Sequence, residues 1–311
     1  MSLDILQLTE AWQPYAGFPQ PDWKIIRDTI NRTFPEAARA DAWNDACLQW
    51  LGAIRHALGA DTYHLFESTN FVLLTVAEKS AAKDNLLTCE NALVRLRHRL
   101  GPLAWRWTHG KHAVLMFDDV DAYYRYISFF YPEEGEFSGS EASFLNRGYC
   151  HTAVSPMRYP MPALIHELTH LCLAHLRIPR WLNEGLATTT TIAIGGTRSH
   201  AVDRDVMEQH ETFWNSDTIQ DFWNGKSFHT IDGNRVSYSL AQILVDNMQN
   251  DYKSFPDFVK DAKFFDGGEA SALAHLGDSL GTVAAVFLGA GDWAPRPNTR
   301  QDTPQDSNSS E

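Results

Sequence analysis

The sequence predicts an α+β fold, a mixed β-sheet upper part followed by a mostly helical lower part, and three observations predict it. Short β-rich runs lie between about residues 61 and 160, apolar residues recur at helical spacing through most of the chain after Pro156, and strands and helices are segregated rather than alternating as in a βαβ parallel sheet. The 311 residues, 44% apolar and 21% charged, suffice for one large core or two closely packed ones and exclude global disorder. A net charge of −13, with no stripe of Lys and Arg, argues against nucleic acid or an anionic membrane surface as partner and favours a neutral or cationic substrate. Cys47, Cys89, Cys150 and Cys172 are widely spaced without a CxxC pair, which reads as buried reduced thiols. The start, Met1 to Ile5, shows no basic segment followed by an apolar one, so the expected location is the cytoplasm.

The elements follow in order. Residues 1–60 are expected to form a helical N-terminal layer: Trp12, Trp23, Trp43 and Trp50 sit among helix formers, and Ala37 to Leu58 repeats apolar side chains at helical spacing. An α/β upper part over 61–160 opens with β-rich runs at Tyr63 to Phe66 and Phe71 to Val76, joined by a turn at Glu67 to Asn70. Lys79 to Leu100 is a long amphipathic helix stopped by Gly101-Pro102. A strand at Ala113 to Phe117, a helix at Asp119 to Tyr131 capped by Asp119, a polar loop at Pro132 to Glu141 and a strand at Tyr149 to Val154 complete it. The helical part, 161–294, has expected helices at 162–177, 181–193, 201–214, 237–250 and 255–262, with shorter ones near 269–288. Leu280 to Gly291 is too short to span a bilayer, which takes about 20 residues. The polar stretch 295–311 reads as a disordered tail.

The string that carries chemistry is His166-Glu167-Leu168-Thr169-His170. At 100° per residue the two histidines lie one turn apart on one helix face, so both imidazoles reach a single metal ion while Glu167 projects beside them towards a metal-activated water. Pro160 and Pro162 suit the start of that helix, and Ile178-Pro179 ends it. Catalytic zinc takes three protein ligands and one open position, and Glu184 in Trp181-Leu182-Asn183-Glu184-Gly185-Leu186-Ala187 is the best third. His175, five residues past His170, points about 140° away from the pair. The extended zincin pattern with a third histidine is excluded, because Leu173 and Leu176 stand where it needs Gly and His.

The two strings together, Ile165 to His170 and Trp181 to Ala187, resemble gluzincin metallopeptidases, strongly over about 165–187 and suggestively from Tyr63 to Met248. The resemblance implies a zincin-like fold, one zinc per chain held by His166, His170 and Glu184, Glu167 as general base, and a peptide or protein substrate. It also implies an upstream edge strand that holds extended substrate, which Tyr149 to Val154 matches in position. The interval from His170 to Glu184 is shorter than in the best-known members. No Gly-x-Met-Glu-Asn motif for a free amino terminus is present, Gly139-Ser140-Glu141 being a faint substitute, so aminopeptidase activity does not follow. In such a site zinc acidifies water, Glu167 takes the proton, and an oxyanion donor completes the chemistry.

Tyr238, at the expected opening of a helix, resembles the tyrosine of the aminopeptidase-like branch, and packing of an amphipathic helix explains it equally well; His229 is the alternative donor. Thr188, one turn beyond Glu184, stands where some gluzincins carry an acid. Asn183 is expected to cap the second helix. The Trp105-Arg106-Trp107 cluster reads as packing, and the Asp118-Asp119-Val120-Asp121 group as a helix cap rather than a calcium loop. Three functions remain open: a zinc peptide hydrolase, a catalytically silent zincin-like protein that binds metal or a partner, and a hydrolase of a non-peptide amide. A loop over 132–148 could cover a narrow cleft.

Overall fold

The computed structural model describes residues 3–105, 110–131, 141–196 and 204–296. The loop at 132–140, Arg106, Trp107, Gly139, Ser140 and the tail from 297 lie outside the described residues. The chain is α+β and divides into two compact units, Met1–Leu100 with Ala104–Cys172, and Gly101–Leu103 with Leu173–Glu311.

In the first unit two short 3-10 turns, Ile5–Gln7 and Thr9–Ala11, lead into a two-stranded antiparallel hairpin, β1 (Trp12–Tyr15) and β2 (Phe18–Pro21), before helices α1 (Trp23–Thr33) and α2 (Glu36–Leu58). The expected helical N-terminal layer is therefore corrected over Trp12–Pro21, where the chain forms strands. Pro14, Pro19 and Pro21 disguise the strands, since proline lowers strand propensity and is tolerated only where no ladder donor is needed. The turn signal was Ala16-Gly17, both at positive φ, 49° and 88°, as a two-residue hairpin demands. Along α2 the buried residues Trp43, Ala46, Cys47, Trp50, Leu51 and Ile54 form one face, which packs in the core with Tyr63, Tyr126 and Tyr149.

The central sheet has the order β3-β4-β5-β7-β6, formed by β3 (His64–Glu67), β4 (Phe71–Thr75), β5 (His112–Met116), β6 (Ala142–Leu145) and β7 (His151–Val154). β3 and β4 pair antiparallel, as the turn at Glu67 to Asn70 requires. β4, β5 and β7 run parallel, with α3 (Lys79–Leu100) between the first two and α4 (Val120–Ile127) between the second and third. The sheet is thus mixed, as expected, although segregation had argued against βαβ units, because these crossovers sit inside the strand-rich half. Every residue of β4 is buried, so it shows the continuous apolar run of a strand covered on both faces. The strand read at Tyr149 to Val154 is the interior strand β7, and the antiparallel edge beside it is β6, which lies just past the polar loop read at Pro132 to Glu141 and inside the 132–148 segment read as a covering loop, so residues 142–145 of that segment are strand. Asp119 caps α4 as expected, its Oδ2 accepting from Ala122 N at 2.9 Å. All four cysteines are buried and free.

After β7 comes α5 (Met161–Leu173), with Pro162 in its first turn, where no intrahelical donor is required. In the second unit follow α6 (Arg180–Gly195), α7 (Arg204–Phe213), α8 (Thr218–Trp223), α9 (Asn234–Asp251), α10 (Phe255–Asp261), α11 (Glu269–His275) and α12 (Leu280–Leu288). Trp181 fixes the start of α6: it is fully buried, its Nε1 donates to Gly267 O at 2.9 Å, and its ring meets Trp223 at 5.4 Å. α6 packs along α9, and Gly185 is what lets it. A Cβ at that position would stand 2.6 Å from Ala241 O and 2.7 Å from Val245 Cγ2. Among the described residues, no single helix is long and apolar enough to cross a membrane.

Candidate metal centre

The HExxH string lies wholly inside α5, so its spacing becomes geometry. His166 and His170 are half-buried, with ring centroids 4.8 Å apart and planes at 80°. Thr169, fully buried between them in sequence, returns its hydroxyl proton to Ile165 O at 2.7 Å and needs no partner off the helix.

Glu167 is buried at 9% exposure, and its Oε2 accepts the backbone N–H of Phe144 at 2.6 Å. Phe144 belongs to β6, paired there with Thr152 of β7. The glutamate is thereby tied to the edge strand, one oxygen held and its side chain kept from rotating freely. Spacing along α5 pointed to the glutamate but not to this partner, because the pairing depends on a strand 23 residues away.

Glu184, on α6, is buried at 8% exposure. Its Oε1 lies 3.7 Å from Arg180 Nη2, one turn earlier on the helix. The same guanidinium donates from Nη1 to His229 Nε2 at 2.6 Å and stacks over the Phe228 ring at 5.8 Å. The neutral His229 ring therefore carries its proton on Nδ1. Partial desolvation, then the Arg180 cation, lower its proton affinity, against the opposing pull of Glu184. Tyr238 is half-buried in the second turn of α9 rather than at its opening, and its ring meets Phe228 edge-on at 5.2 Å. Phe228 thus has both candidate oxyanion donors as neighbours. Arg180 is the site residue that sequence reading missed; its place one turn before Glu184 was the available signal.

Among the described residues, one group of three metal-binding side chains stands out. Ligand atoms of His166, His170 and Glu184 all lie within 4.8 Å of one another, and two imidazoles with a carboxylate form a donor set that could hold a metal ion. Other expectations resolve individually. His175 is exposed beyond the end of α5. Thr188 is buried on α6. Asn183 is not a cap, because α6 begins three residues earlier, at Arg180 behind Pro179, and the residue sits inside the helix. No protein-family model, curated protein or solved structure matches the chain.

Proposed function

We propose that the protein is a zinc-dependent hydrolase of peptide bonds, of gluzincin type. The observation that carries this reading is the convergence of His166, His170 and Glu184 within 4.8 Å, with Glu167 next to the first ligand on the same helix. Nitrogen and oxygen donors in this number are those of a catalytic zinc with an open position, where the ion supplies Lewis acidity that polarises a carbonyl and makes water more acidic. Glu167 serves as general base: it accepts the water proton on its carboxylate and passes it to the leaving amine. The Phe144 N–H keeps that carboxylate oriented through both transfers. Tyr238 or His229 donates a hydrogen bond to the developing oxyanion, His229 through the Nδ1 proton that Arg180 fixes. An extended peptide fits along β6, the outermost strand of the described sheet, to which Glu167 is bonded.

A peptide library incubated with wild type, with wild type after chelation and with Glu167→Ala tests the reading. Cleavage confined to the untreated wild type, with zinc retained by Glu167→Ala, is the expected pattern. Cleavage by Glu167→Ala would contradict the mechanism, and a zinc-loaded wild type inert on every peptide would favour a silent metal-binding protein or a non-peptide amide.

A further inference from the structure

A cation next to a metal ligand is electrostatically awkward, since it repels the ion that the ligand attracts. Arg180 nevertheless occupies that position, and its contacts show what it does. From the first turn of α6 its guanidinium faces the Glu184 carboxylate through Nη2 at 3.7 Å, donates to His229 through Nη1 at 2.6 Å and lies over Phe228. Its Nε is buried with no hydrogen-bond partner, so the side chain is held by these neighbours and not by a bond along its stem. Glu184 thus meets this guanidinium through Oε1 while its carboxylate also offers an oxygen to the His166 and His170 pair. Ligating carboxylates are ordinarily fixed by such an outer partner.

We propose that Arg180 is the positioning residue of the metal centre: one planar guanidinium holds the third ligand, Glu184, in its ligating orientation and at the same time fixes the protonated nitrogen of His229. This rests on the zinc reading above. Only a forked side chain can serve both partners at once, so Arg180→Lys keeps the charge and loses the coupling, whereas Arg180→Met loses both.

Zinc affinity, measured by competition with a chromogenic chelator, is compared for wild type, Arg180→Lys and Arg180→Met, with 15N NMR of the His229 ring and thermal melting of the metal-free proteins alongside. Arg180→Met should bind zinc about 10–100-fold more weakly, Arg180→Lys should fall between, and in both His229 should lose its exclusive Nδ1–H form while Arg180→Lys melts as wild type does. Arg180→Lys carries the test if the methionine variant does not fold. Variants that bind zinc as tightly as wild type, or an unchanged His229 ring, would overturn the positioning role. A wild type that takes up no zinc would sink the zinc reading and this role together, an outcome distinct from equal binding by all three proteins.

Discussion

The first unit contains two pairs of histidines used in opposite ways. His112 and His151 lie on adjacent strands of the sheet and are 1% exposed; His166 and His170 lie on one face of a helix and are half-buried. In the sheet pair every polar contact points inward. His151 Nδ1 donates to Tyr149 O at 2.7 Å and its Nε2 accepts from Tyr126 at 2.7 Å, while His112 Nε2 bonds Thr152 Oγ1 at 2.9 Å. Burial, and for His112 also the neighbouring His151, push the two rings down to about 3 and about 4, so both are neutral aromatic core residues. The helix pair has carboxylates for neighbours instead: Glu167 adjacent in sequence and Glu184 within ligand distance. What lets a pair of histidines hold a metal ion is what shares their face, not burial.

The largest effect that would sharpen this contrast is catalytic. Glu167→Gln should lower kcat by about 10²–10⁴-fold and leave zinc content unchanged, as read by peptide turnover and elemental analysis. A variant that lost its zinc as well would make Glu167 a structural residue like the sheet histidines.

Next, alanine at either pair should separate metal from stability. His151→Ala strands the Tyr126 hydroxyl and the Tyr149 carbonyl and opens a cavity beside Trp50, costing about 3 kcal/mol or more with zinc binding intact. His166→Ala or His170→Ala should abolish tight zinc binding while shifting the metal-free stability by less than about 1 kcal/mol. Denaturant titration and metal competition on the same preparations check both, and the contrast fails if the two sets of variants behave alike.

Acid gives a third test. Both sheet histidines have folded values below the unfolded value of about 6.5, so the unfolded chain binds more protons as pH falls. Their contribution is complete above about pH 6.5 and is lost as pH drops towards 4 and 3, by on the order of 1.4 kcal/mol per pH unit for each ring. Stability from denaturant titration that stays flat between pH 6.5 and 5, above the ordinary carboxylate range, would contradict neutral core histidines.

In the second unit, Gly185→Ala places a methyl against the Ala241 carbonyl and should cost about 1–3 kcal/mol. A melting temperature equal to that of wild type would show that α6 and α9 can separate without penalty. The smallest expected effect is at His175, exposed beyond α5, where alanine should change neither zinc binding nor stability by more than about 0.5 kcal/mol.

What was legible in the sequence was local. His166, Glu167 and His170 could be read because four residues are one helical turn, and Glu184 because the helix that carries it begins soon after α5 ends. The Glu167 bond to Phe144 was not legible, since it depends on β6 lying outermost beside β7. Arg180 and His229 are separated by 49 positions, and nothing in the spacing of either string joins them. The hairpin β1–β2 was hidden by its prolines, and Asn183 was misread as a cap because its residue type suits one, whereas α6 starts at Arg180 behind Pro179, one residue before the expected start, and leaves Asn183 inside the helix. The parallel crossovers β4-α3-β5 and β5-α4-β7 were missed for a related reason: each strand was recognised, but parallel partners are joined by long crossovers and not by a short turn, so no local turn signal announces their pairing.

The central claim is that two half-buried imidazoles and one buried carboxylate hold zinc. Metal content per chain, by elemental analysis of protein purified without added metal or a chelating tag, tests it directly when wild type and Glu184→Ala are compared. About one zinc per chain in the wild type, lost or sharply weakened in the variant, is the predicted result. A wild type that carries no metal and takes up none when zinc is added would contradict it.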